Sequence, residues 1–290
     1  MKKQNKVIPV IVMLSVFTVW GFDIVGIEYM MQYMSSGMYT LIRLLLGSII
    51  LFIACKIKNG GFKAAKKDLP RFFLCGATAM SLYYTIEGFA LEMISASMGS
   101  LLLATIPVFG VIGDRFVFGR RITKEKIICI LISIAGVYIL VAGDLTASKL
   151  IGLGLMMVCA VLWTFQIIVI KPLHDTYDLL TILTGTFISG FIMQLPLTLL
   201  TGTHAEFTPD GVAILLFTTV FCLVVAQAGY VYAIKHLSVT IVSAFENMLP
   251  VITIAVSFFL YGTMLTGMQL AGAVLIIGSV TVLVVKDQAE

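Results

Sequence analysis

The sequence predicts an all-α integral membrane protein: ten transmembrane helices arranged as two inverted-topology five-helix repeats, with both termini cytoplasmic. Three observations carry this expectation. The apolar residues fall in ten long blocks, the basic residues gather on alternate joints between them, and the chain repeats itself at an offset of 143 residues. Composition agrees, since 60% of the 290 residues are hydrophobic and only 12% are charged, about half the charged share of a soluble domain.

A bilayer core of ~30 Å is crossed by ~20 mostly apolar residues in helical form. Blocks of that kind lie at residues 7–27, 35–55, 71–92, 95–115, 126–143, 150–170, 179–200, 211–233, 237–260 and 267–285. The first block follows Lys2, Lys3 and Lys6 as a signal peptide would. It is longer than a typical signal core and has no clear small-x-small cleavage site, so it reads as a retained first helix. Stretches such as 44–54 and 127–142 are continuously apolar, whereas the strands of a membrane β-barrel alternate apolar and polar positions. The joints are short and leave little chain for a soluble domain.

The orientation follows from the joints. Apart from Arg43, inside the second block, and Lys149, every one of the 19 basic residues lies at the start of the chain, at its end, or on every second joint. Lys56, Lys58, Lys63, Lys66, Lys67 and Arg71 surround the joint after the second block, and Arg115, Arg120, Arg121, Lys124 and Lys126 the joint after the fourth. Lys171, Lys235 and Lys286 continue the series. Basic loops face the cytoplasm, and this alternation explains the net charge of +4 better than nucleic-acid binding does. The expected location is the plasma (inner) membrane of a prokaryotic cell, with multiple passes.

The repeat needs no gaps over long stretches. Trp20 falls on Trp163, Ala90 on Ala233, Ser95 on Ser238, Ser100 on Ser243, Pro107 on Pro250, Phe116 on Phe259, Gly119 on Gly262 and Thr123 on Thr266. The offset divides the chain into units at 1–143 and 144–290. Five helices per unit is an odd number, so the second copy starts from the opposite side of the membrane. Inverted repeats of this kind suit alternating access, with the site near the midplane between them.

The same residues carry a family resemblance. Trp20-Gly21, Arg43, the run from Ser95-Ala96-Ser97 to Pro107, its copy from Ser238 to Pro250, and Gly119…Thr123 with Gly262…Thr266 ahead of Gly-containing last helices (Gly136; Gly272 and Gly278) stand in matching order in both halves. The chain resembles EamA-type members of the drug/metabolite transporter superfamily over nearly its whole length. It departs from the pattern where the family commonly places Glu after the Gly closing the fourth and ninth helices; here Arg120 and Thr263 stand there. The resemblance implies a transporter of small metabolites, frequently an exporter of amino acids or toxic compounds.

Charges inside membrane helices are expensive and point to function. Asp23, Arg43, Glu87 and Glu246 are placed deep, while Glu28 and Glu92 fall at outer ends and are expected in solvent. Glu246 is expected near mid-helix, four residues before Pro250, which frees backbone carbonyls near its carboxylate; Asn247 beside it adds a donor and an acceptor. The bland alternative is a structural pairing of Glu246 with Arg43 or a hydroxyl. Its repeat partner is Leu103 and that of Glu87 is Tyr230, so both acids break the symmetry. Glu87 has Tyr83 and Tyr84 one turn away, and either lines a site or pairs with Arg43. Trp20 with Asp23 and Trp163 with Gln166 form equivalent Trp-x-x-polar faces, expected to line a common cavity rather than to anchor at the interface. Arg43 either forms a structural ion pair or holds a substrate carboxylate.

Two transport readings result. One is a secondary transporter of a small cationic or zwitterionic metabolite, of amino-acid or quaternary-ammonium type, coupled to protons through Glu246 or Glu87; carboxylates among aromatic faces suit an ammonium group. The alternative handles neutral or anionic metabolites, with Arg43 as anchor. A membrane sensor or enzyme is a distant third, since no GxSxG, HExxH or Walker motif is present. The expected partners are a small organic substrate, protons and the lipid bilayer, with a second copy of the chain as an open alternative to the monomer. No cofactor or metal is expected: Cys55, Cys75, Cys129, Cys159 and Cys222 read as small buried hydrophobes, and Met30, Met31, Met34 and Met38 as packing residues.

Overall fold

A computed structural model describes residues 7–118, 122–141, 146–236 and 245–288. Lys2, Lys3, Lys6, Gly119, Arg120, Arg121, Ser238, Ser243 and the first part of the ninth apolar block lie outside them. Apart from one isolated bridge between Met34 and Ala205, the regular structure of the described residues is helical. Among the described residues, six helices are long and apolar enough to cross a membrane: Val7–Met30, Ser36–Asn59, Ala96–Gly113, Ala147–His174, Leu179–Thr201 and Pro209–Ala233. Met248–Tyr261 and Gly267–Leu283 are shorter apolar helices.

The helices follow the apolar blocks closely. α1 (Val7–Met30) and α2 (Ser36–Asn59) cover the first two. The third is a continuous run of α3 (Leu69–Cys75), a π-helical stretch (Gly76–Leu82) and α4 (Tyr83–Leu91). The fourth breaks into α5 (Ala96–Leu103) and α6 (Ile106–Phe118), and α7 (Lys124–Val141) closes the first half. α8 (Ala147–His174) and α9 (Leu179–Thr201) follow. The next run joins α10 (Pro209–Phe217), a π-helical stretch (Thr218–Val225) and α11 (Ala226–His236). α12 (Met248–Tyr261) and α13 (Gly267–Gln288) end the chain.

The 143-residue shift relates the irregularities as well as the sequence. The two π stretches occupy equivalent positions, and the break at Ala104–Thr105 corresponds to the turn at Asn247 that precedes α12. Packing follows the same exchange. α2 packs on its own counterpart α9, and α7 on its counterpart α13. α1 packs on α11 and α12, as α8 packs on α4 and α6.

Both ends of the α2–α9 pair are tied by loops. At one end Ser35 donates its backbone N–H to His204 O (3.0 Å), and Glu206 donates to Tyr33 O (2.8 Å). At the other, the Tyr177 hydroxyl donates to Asp68 Oδ2 (2.7 Å) and accepts from the backbone N–H of Ala65 (3.0 Å), and Asn59 Nδ2 donates to Asp178 Oδ1 (2.8 Å).

Asp178 also caps α9, accepting from the N–H groups of Leu180 (3.0 Å) and Thr181 (3.2 Å). Partial burial works against its charge, but hydrogen bonds from the Thr181 hydroxyl, Asn59 and the two backbone N–H groups outweigh this and hold its carboxyl below the usual carboxylate range. Because the folded value is depressed, the stabilisation is present above ~3.9 and is lost as pH falls through the lower folded value. Asp178→Ala is expected to cost about 1 kcal/mol at neutral pH and much less in strong acid. Thermal unfolding of the two proteins in detergent at both pH values checks this.

Candidate functional site

The break between α5 and α6 has a local cause. Pro107, the second residue of α6, cannot donate a backbone hydrogen bond, and around it the chain uses tighter three-residue bonds, from Thr105 N to Leu102 O (3.0 Å) and from Val108 N to Thr105 O (2.9 Å). The Thr105 hydroxyl also donates to Leu102 O (2.6 Å). In the second half, Pro250 falls in the first turn of α12, and Asn247 before it is pinned to α13 through its Nδ2 and Thr281 Oγ1 (3.0 Å). Glu246 therefore stands at a helix break, not in mid-helix as its sequence position suggests. Pro250 has no N–H to offer the carbonyl of Glu246, one turn upstream, and this interrupts the helical hydrogen-bond ladder.

The two breaks face a cavity with an empty volume of about 520 Å³, part of it continuous with solvent. Trp20, Asp23, Tyr83, Tyr84, Glu87, Trp163 and Glu246 all line it, together with Phe17, Leu103 and other apolar side chains that the sequence did not single out. The two tryptophans meet edge to face with centroids 5.4 Å apart. Tyr230 completes the aromatic group, 5.1 Å from Trp20 and 5.8 Å from Trp163. Trp20 is fixed by its indole N–H, which donates to Cys222 O (3.1 Å) in the second π stretch. That carbonyl and Thr218 O are reachable because a π turn displaces carbonyls from the regular α ladder.

The charged residues separate into two kinds. Arg43 is buried, and its Nη2 donates to both Asp23 oxygens (2.8 and 3.0 Å) and to Thr218 O (2.8 Å). Its guanidinium carbon lies 5.1 Å from the Tyr39 ring centroid and 5.2 Å from that of Tyr84. Its charge is thus taken up by Asp23 and two aromatic faces, and it is not among the cavity lining residues. Glu87 accepts from the Tyr83 hydroxyl (3.1 Å). Among the described residues no ion pair reaches Glu87 or Glu246, and no hydrogen bond reaches the Glu246 carboxylate. The pairings of Arg43 with Glu87 or Glu246 weighed from sequence do not form, because Asp23 reaches the guanidinium first.

Two further expectations are corrected. Gln166 is buried but not part of the cavity lining, so the second Trp-x-x-polar face contributes only its tryptophan. Glu28 is not simply solvated: its Oε2 accepts the backbone N–H of Ala96 (3.1 Å) and covers the first turn of α5. A carboxylate suits a helix N-terminus, but this partner lies 68 residues away and has no local signature.

The fold and cavity define a class: a helical membrane protein built of two like halves, with a cavity lined by polar and aromatic side chains where the helices break. Comparison with known proteins makes this specific. The model of the EamA-like transporter family matches twice, over residues 7–142 and 150–285. The chain belongs to this family, the EamA-type branch of the drug/metabolite transporters. It is 22% identical over 286 residues to an "Uncharacterized transporter" of Archaeoglobus fulgidus, covering 95% of this chain and 98% of that one. It is 28% identical over 244 residues to a "Probable terminal-alkyne amino-acid exporter" of Streptantibioticus cattleyicolor, covering 83% and 81%. A solved crystal structure superposes with a TM-score of 0.70 at 13% identity, covering 97% and 98%, and shares the fold.

Proposed function

We propose that this chain is a secondary transporter that moves a small cationic or zwitterionic organic metabolite, of amino-acid or amine type, by alternating access. Protons are the coupling ion, carried on Glu246 or Glu87. The observation that carries this reading is an aromatic cavity holding two carboxylates that form no ion pair among the described residues, while Arg43, the cation an acidic substrate would need, is held by Asp23. A carboxylate among aromatic faces attracts an ammonium group. The name of the Streptantibioticus cattleyicolor relative supports an amino-acid type of cargo.

In this reading the chain crosses the plasma (inner) membrane ten times, as inverted units at 1–143 and 144–290, with both termini cytoplasmic. The alternating basic joints support the topology, and the exchange of packing partners under the 143-residue shift supports the two units. The equivalent helix breaks supply the discontinuous helices on which such sites are built.

The test is transport in proteoliposomes under an imposed pH gradient. L-leucinamide, L-leucine, N-acetyl-L-leucinamide and N-acetyl-L-leucine share one side chain and differ in charge. The wild type is expected to accumulate the first two, and Glu246→Gln to abolish accumulation. Wild-type-like accumulation by Glu246→Gln, or flux confined to the neutral and anionic compounds, overturns the reading.

A further inference from the structure

Two carboxylates with different surroundings are more than one cation requires. Glu87 is held by the Tyr83 hydroxyl at 3.1 Å, and the Tyr83 ring lies 5.2 Å from Trp163. The Tyr84 ring already lies against Arg43, whereas Tyr83 and Trp163 line the cavity together with this carboxylate. A fixed anion flanked by π faces is the arrangement that binds ammonium groups. Glu246 differs in two respects: it has no hydrogen bond among the described residues, and it adjoins the turn at Asn247. Element ends of this kind absorb the backbone changes of a conformational switch, so a group next to the turn changes its surroundings when the flanking helices move.

The two acids are also not symmetry mates. Glu87 corresponds to Tyr230 and Glu246 to Leu103, so exchanging the conformations of the two halves does not interchange their roles. We infer that the work is divided: Glu87, with Tyr83 and Trp163, binds the cationic group of the cargo, and Glu246 carries the coupling proton. This rests on the transport reading above. The proton enters on the Glu246 carboxylate from one side and leaves as the same proton on the other, so no further reactant is needed. Among the described residues, the titratable groups that line the cavity with Glu246 are Asp23 from α1 and Tyr83, Tyr84 and Glu87 from α4, and Tyr230 from α11 interacts with it electrostatically. Asp23 is committed to Arg43. Among the lining residues, α5, α6, α8 and α12 contribute Leu103, Ile106, Trp163 and Leu249, none of which is acidic or basic.

Separate sites and a shared site differ measurably. The protein has two tryptophans, and both line the cavity, so intrinsic fluorescence reports binding there. The probes are choline and its neutral isostere 3,3-dimethylbutan-1-ol. The wild type is expected to prefer choline, Glu87→Gln to bind choline about tenfold more weakly or worse, and Glu246→Gln to stay within about twofold. In proteoliposomes Glu246→Gln keeps exchange of labelled choline without a gradient and loses accumulation driven by pH, while Glu87→Gln loses both. Glu87→Asp and Glu246→Asp keep the charge and repeat the comparison if a glutamine variant does not fold. Equal loss of choline affinity in both variants, or pH-driven accumulation by Glu87→Gln, overturns the division. A wild type that binds the isostere as well as choline, or binds neither, overturns the cationic-substrate reading instead.

Discussion

Replacing Arg43 by Met is expected to destabilise the protein by about 3–5 kcal/mol, the cost of removing one partner from a buried ion pair. The substitution keeps the length and apolar stem of the side chain but leaves the Asp23 carboxylate buried without its cation, lining the same cavity as Glu87. It also removes the bond to Thr218 O, which ties α2 to the second π stretch. The double variant Arg43→Met with Asp23→Leu should recover much of the loss, because the uncompensated charge is then gone. Thermal unfolding in detergent, with the monodispersity of each variant as a second readout, separates these outcomes. A single variant as stable as the wild type would show that the pair is not a structural brace.

This pair also marks how far the sequence could be read. The positions of the helices were legible because ~20 apolar residues are needed per crossing and few other constraints compete; the seventh block, expected at 179–200, is the helix Leu179–Thr201. The depth of Asp23 and Arg43 was legible for the same reason. That they bind each other was not, since the two side chains converge only when α1 and α2 pack beside the second π stretch. The π stretches themselves leave no trace in hydropathy, which registers side chains and is blind to hydrogen-bond register. The prolines at 107 and 250 did signal disturbance, but not that a turn at Asn247 interrupts the helix directly after Glu246.

The second large effect is expected at Gly76, where the first π stretch begins. A Cβ at this position would overlap the backbone oxygen of Thr186 and lie 2.5 Å from the backbone N of Gly190. Reciprocally, a Cβ on Gly190 would lie 3.0 Å from Gly76 O. The obstructing atoms are main chain and cannot rotate away, so even Gly76→Ala must force the helices apart. About 3 kcal/mol is expected, at the upper end for overpacking, and the loss should grow with Gly76→Val. Close approach through small residues is a general route to helix association in membranes. Gly154 provides the contrast: among the described residues, nothing beyond the adjoining backbone of its own helix comes within 4 Å of a Cβ placed there, so Gly154→Ala should leave stability unchanged or slightly raised. Unfolding temperatures of the three variants in one detergent decide the matter, and equal values for Gly76→Ala and Gly154→Ala would show that the contact yields.

The matching π stretches also carry a record of descent. A π turn closes its hydrogen bonds over one residue more than an α turn does, so adding one residue to an α-helix, with both flanks held in place, produces such a stretch. Here the wide turns begin at Gly76 and Thr218, within one residue of the 143-residue shift. Two independent insertions at the same depth of two separate helices would be a coincidence. One insertion in a single ancestral half, before that half was duplicated and joined to itself, accounts for both. The present chain would then be a fusion of two copies of one ancestral half in which the carbonyls freed by the wide turn were already available. The halves have since diverged in what they do with them: in the second, the wide turn receives Arg43 and Trp20 of the first.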